Sequence, residues 1–247
     1  MKDNGRTPTA RGSSVQQDWR AWLSEEKTLV YRKNVQHLES LFNMFSVALN
    51  EAIEIRQCGC LAKALPTIRM TADLCKFLIG PLVGMLRALR EHAKHYGIVP
   101  NAAPLDAANY RGQRGQRCAR MSGLLNRVLF SQRIQFLQKV STIEELVEDL
   151  GKDFRSVAAD LADGLSTDPE HAWAELDAVQ YDLNTCLCET LVLYKSFMVV
   201  LPAGQLQAFQ RTVREQWEAP GSVLPVPQPA PHPGRAAICS GGAFAAK

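Results

Sequence analysis

Between residues 38 and 53 the apolar positions Leu38, Leu41, Phe42, Phe45, Ala48, Leu49, Ala52 and Ile53 fall three and four apart, which puts them on one face of a helix. Two starts are written upstream. Ser14-Val15-Gln16-Gln17 fits a capping box, and Ser24-Glu25-Glu26 places acids where the helix dipole favours them. Gly59 supplies the stop. A second helix is expected from near Pro66 to Tyr96, kinked by Pro81 near Gly80. Its end is marked by His92, Lys94 and His95, then Gly97, then Pro100.

Residues 98–115 read as a long connection, a length that compact domains use sparingly. A third helix begins around Gln116 to Arg120 and carries Met121, Leu124, Leu125, Val128, Leu129 and Phe136. Ser141-Thr142-Ile143-Glu144 is a further capping box and predicts the start of a fourth, with Leu146, Val147, Leu150, Phe154, Val157, Ala158 and Leu161 inward and Gly164 at its end. Thr167-Asp168-Pro169-Glu170 opens a fifth, with Trp173, Leu176, Leu183, Leu187, Leu191, Tyr194 and Met198 inward, broken by Pro202. A short sixth spans Gln205–Trp217. No stretch alternates apolar and polar residues between turn signals, so no strand is predicted.

The fold class that follows is all-α: an antiparallel bundle of four to five long helices plus a short C-terminal helix, with disordered termini. The division is a disordered segment at 1–13, a helical bundle domain at 14–217 and a proline-rich tail at 218–247. The tail's prolines at 220, 225, 227, 229, 231 and 233 favour extended, solvated chain, and no two stand three apart as a PxxP ligand requires.

Composition agrees with a packed domain, since 46% of residues are apolar. Phe77–Leu86 and Leu191–Leu201 are the longest apolar stretches, each about half of the roughly 20 residues a membrane-spanning helix needs. They are expected in the core, and no transmembrane segment is expected. The polar opening residues contain no secretory signal, and seven cysteines cannot pair completely. Reduced thiols and a cytoplasmic location are the expectation.

Charge changes the picture more. Residues 111–140 carry seven basic and no acidic side chains, whereas residues 141–190 carry two basic and 13 acidic ones. The basic block opens with YRGQRGQRCAR, in which Arg111, Arg114, Arg117 and Arg120 recur at every third position behind Tyr110. Two glycines allow close backbone approach and Tyr110 could stack on a base, so these five residues are candidates for RNA or DNA binding. Four arginines would give a salt slope of only about −3.6 on duplex DNA, weak for a dedicated binder. The competing account pairs them with carboxylates of the next helices, which short loops would make neighbours.

Cysteine and histidine supply the candidate metal ligands. Cys58 and Cys60 flank the Gly59 turn and could converge, whereas Cys186 and Cys188 point apart on one helix. His92 and His95 share a helix face at an end where Cys118 could join them. The two sets cannot combine, because 32 helical residues separate Cys60 from His92, roughly 48 Å. The alternative roles are turn-lining thiols and helix C-terminal capping.

The chain has no phosphate loop, dinucleotide fingerprint, HExxH, GxSxG or Glu-x-x-His pattern. No catalytic residue and no cofactor is assigned. The reading that remains is a non-enzymatic interaction or regulatory module that binds a protein partner or self-associates. Nucleic-acid binding and metal- or thiol-dependent catalysis stand behind it.

Overall fold

A computed structural model describes residues 23–97, 100, 105–112, 114–116, 118 and 132–218. The first capping box, both outer ends of the chain, and residues 121–129 of the expected third helix lie outside the described residues.

Helix α1 runs Glu25–Gln57, and Ser24 caps it by accepting the Lys27 backbone N–H at 3.4 Å. The chain reverses through Gly59, whose φ of +78° is a conformation side chains disfavour. Helix α2 runs Leu61–Tyr96, beginning five residues before the expected Pro66 start. Pro66 and Pro81 both lie inside it. Each removes one backbone donor, which flanking turns and packing outweigh. Gly97, left-handed at φ +65°, ends α2 as its sequence predicts.

Helix α3 runs unbroken from Gln132 to Ala162, so the helix start expected at Ser141 is not used. Thr142, Ile143 and Glu144 are buried there, and Glu144 is taken by two arginines of α2. Tertiary pairing has overridden the local capping signal. Helix α4 runs Pro169–Val200, capped by Asp168 on the His171 N–H at 3.1 Å. A 3-10 turn at Ala203–Gln205 leads into α5, Leu206–Trp217.

Contacts between the long helices fix an up-down-up-down order. Arg87, in the last third of α2, reaches Glu148 midway along α3, while Arg69, near the start of α2, reaches Asp163 just beyond the end of α3. Lys27 with Met198, Asn34 with Tyr194, Ser46 with Gln180 and Arg56 with Glu170 run α1 antiparallel to α4. The Lys27 ammonium donates to the Met198 carbonyl at 3.0 Å, near the C-terminus of α4 where a cation meets free carbonyls. Burial holds the pKa of this lysine below its ordinary value.

The core joins all five helices: Phe45 and Phe154 meet edge to face at 5.0 Å, and Phe209 of α5 packs on Tyr194 and Phe197 of α4. Such aromatic pairs contribute about 0.5–1.5 kcal/mol each beyond the area they bury. Helices α2 and α3 pack tightly at Gly151, where an added Cβ would stand 2.7 Å from Ile79. The Trp217 indole N–H donates to the Pro81 carbonyl at 2.9 Å and seats the end of α5 on α2. Helix α4 is long and apolar enough to cross a membrane by length and composition, yet much of its apolar surface, including Leu183, Tyr194 and Phe197, is buried in the bundle. No strand occurs among the described residues.

Candidate functional site

The segment from Leu105 to Cys118 lies across α4 and is more built than a plain connection. Asp106 starts a 3-10 turn at Ala107–Asn109 by accepting the Ala108 N–H at 3.0 Å. Leu105, Tyr110 and Cys118 are buried. The Tyr110 hydroxyl meets the Cys186 thiol at 4.0 Å, and burial drives both groups' pKa values far up. Tyr110 is thus part of the buried core in this arrangement.

Beyond Tyr110 the expected loop gives way to helical backbone at 112, 114–116 and 118. Arg111 spreads its guanidinium over the Tyr181 ring at 4.0 Å and reaches Asp177 at 3.3 Å. Arg114 binds Asp153 of α3 at 2.9 Å and stands 3.5 Å from Asp182 of α4. The two described arginines of the stripe thus meet carboxylates of the acidic block. Arg117 and Arg120 lie outside the described residues.

Asp182 is the pivot. It is fully buried, and its Oδ1 accepts the Arg111 backbone N–H at 3.0 Å. Its Oδ2 makes no hydrogen bond of good geometry, only the longer approach to Arg114. Desolvation raises its pKa, with the Arg111 N–H and the two arginines pulling the other way. Two turns further along α4, Glu189 pairs with the buried Lys139 of α3 at 2.7 Å. Arg111 and Arg114 also line a cleft of about 1060 Å³ together with Asp149, Asp153, His171 and Glu175.

The sequence did not single out Asp182 or Glu189, and it marked Lys139 only as an extension of the basic block. A signal existed for Asp182, which shares the spacing of Val179, Leu183 and Cys186 on an otherwise apolar face. A second network was also missed: Glu144 receives Arg87 at 2.8 Å and also Arg90, and Arg87 extends to Glu148 at 2.7 Å. Its cations come from outside the basic block, so counting charge by segment does not reveal it.

The candidate metal ligands fall in three places. Cys58 and Cys60 are exposed at the α1–α2 turn. His92 is buried, with Phe209 edge-on at 5.2 Å and Tyr96 also at 5.2 Å, and His95 meets Tyr96 edge to face at 4.6 Å. Cys118 sits instead with Tyr110 and Cys186. Among the described residues no three His, Cys, Asp or Glu side chains gather as a metal would need, so His92, His95 and Cys118 are not brought together. The His92 ring nitrogens make no hydrogen bond of good geometry, and burial lowers its pKa against a weak upward pull from the Ala88 carbonyl.

Comparison with protein-family models, with curated proteins and with solved structures finds no match to this chain.

Proposed function

We propose that the chain is a non-enzymatic helical interaction or regulatory module whose partner docks in the groove between α1 and α5. The groove carries this reading. It measures about 380 Å³, and Val30, Val213 and Trp217 form an apolar floor. Leu29 at its edge is 70% exposed. The charged side chains lining it are Lys33 and Arg214, and no carboxylate is among the lining residues. Among the described residues neither cation has an ion-pair partner. Such a surface favours a protein segment that lays a large apolar side chain on the floor and turns a carboxylate to the rim.

Thiol catalysis has less support, because burial drives the Cys75 and Cys186 thiols well away from the reactive thiolate. Nucleic-acid binding through Tyr110, Arg111, Arg114, Arg117 and Arg120 also has less support, since Tyr110 is buried and Arg111 and Arg114 are paired within the chain.

The test compares the full chain with a Lys33→Glu/Arg214→Glu variant, by affinity capture and by light scattering at high concentration. The expected result is a partner, or a second copy, whose capture the double reversal abolishes while helicity is kept. A chain that stays monomeric and captures nothing sensitive to that reversal would refute the reading.

A further inference from the structure

Cys58 and Cys60 differ from every other described thiol. Cys75, Cys118 and Cys186 are buried, and Cys188 is exposed without a second cysteine beside it that its helix could bring round. Cys58 and Cys60 are both exposed, one closing α1 and the other opening α2. Between them Gly59, at φ +78°, turns the chain through a conformation that keeps the two residues on one tight hairpin. The Cys60 Sγ folds back over this hairpin and donates to the Cys58 carbonyl at 3.8 Å. Apart from the two cysteines beside it, no residue comes within 4 Å of where a Gly59 Cβ would stand, so the rest of the chain leaves the turn open on that side.

The donor count decides what such a pair can hold. No group of three His, Cys, Asp or Glu side chains gathers anywhere among the described residues, the hairpin included. Zinc in a structural site takes four ligands and in a catalytic site three plus water, so two thiolates leave it under-coordinated. A soft monovalent d10 ion is suited to thiolates and needs no more than two of them in line. We propose that the Cys58-Gly59-Cys60 hairpin is a two-thiolate site for Cu(I). Each thiol gives up its proton as its sulfur lone pair binds the metal, so one Cu(I) and two thiols yield an anionic bis-thiolate and two protons, with no change of oxidation state. Binding strengthens as pH rises, by proton mass action.

The experiment uses the full, reduced chain without oxygen, titrated into the coloured bis-bicinchoninate complex of Cu(I). The expected result is withdrawal of one Cu(I) per chain, and a loss of competing strength in Cys58→Ser and in Cys60→Ser of at least about 100-fold. That is the upper end of what losing a mere hydrogen-bond partner of a ligand costs. Cys188→Ser should match the wild type, and Zn(II) should be surrendered to a weak chelator. Because both side chains are exposed, circular dichroism of the two hairpin variants should equal that of the wild type. No withdrawal of Cu(I), withdrawal unchanged in either hairpin variant, or Zn(II) held as firmly as Cu(I) would overturn the assignment.

Discussion

Replacing Asp182 separates two roles that one carboxylate performs. Asp182 accepts the Arg111 N–H at 3.0 Å and places a charge 3.5 Å from Arg114. Asp182→Ala removes both and leaves a part-buried backbone donor without its acceptor, which costs about 1–3 kcal/mol. Arg114 keeps Asp153 at 2.9 Å, so its share of the loss stays below about 1 kcal/mol. Relief from burying the charge offsets part of this, and a net cost of roughly 1–3 kcal/mol is expected. Asp182→Asn retains an acceptor of the same shape and discards a charge that burial disfavours. It should fall within about 1 kcal/mol of wild type. The pH dependence has a definite sign. Because desolvation raises the folded pKa of Asp182, its stabilising contribution is full below the unfolded value of 3.8 and is lost as pH rises through the folded value. The Asn variant should therefore gain on wild type between pH 4 and pH 7. Urea unfolding followed by far-ultraviolet circular dichroism at the two pH values measures this. Equal losses for Ala and Asn at pH 7, each beyond about 2 kcal/mol, would show that the charge and not the acceptor holds the segment.

Two further outcomes follow from the core. The pKa of His92 is lowered by burial, as is that of His37, so their contribution is full above the unfolded value of 6.5 and is lost as pH falls through it toward the folded values. His92→Phe should reduce the drop in melting temperature between pH 7.5 and pH 5, and an unchanged drop would remove His92 as a cause. Gly151→Ala forces a methyl against Ile79 at 2.7 Å. Denaturant titration should show a loss of about 1–3 kcal/mol from that overpacking, although alanine is intrinsically the better helix former by about 1 kcal/mol.

What the sequence revealed tracks how local each determinant is. Ser24, Gly59, Gly97, Asp168 and Pro202 act within one turn, and the helix ends they mark are where the structure has them. The inward faces were also legible, with Leu38, Phe45, Phe154 and Tyr194 all buried. The Ser141 start failed because the partner that claims Glu144 lies 54 and 57 residues away, on α2. The arginine stripe was legible as a charge pattern. Its recipients were visible only as an acidic block, because choosing Asp153, Asp177 and Asp182 from that block requires the packing of α3 on α4. The burial of Tyr110 was not legible for a related reason: nothing nearby in sequence announces the surface around Cys186 that covers it.

The contacts that join α1 to α4 also impose an order on assembly. Lys27 and Met198 are 171 residues apart, and Asn34 and Tyr194 are 160 apart. The α1–α2 hairpin, by contrast, closes through only the three residues 58–60. Long-range closure is rewarded only after its loop entropy is spent, so the α1–α2 hairpin forms early and the α1–α4 seam last. On the ribosome α1 exposes this seam until nearly all of α4 has emerged. Substitutions at Asn34 and Ser46 should then speed unfolding and leave the folding rate nearly unchanged, with φ-values near zero.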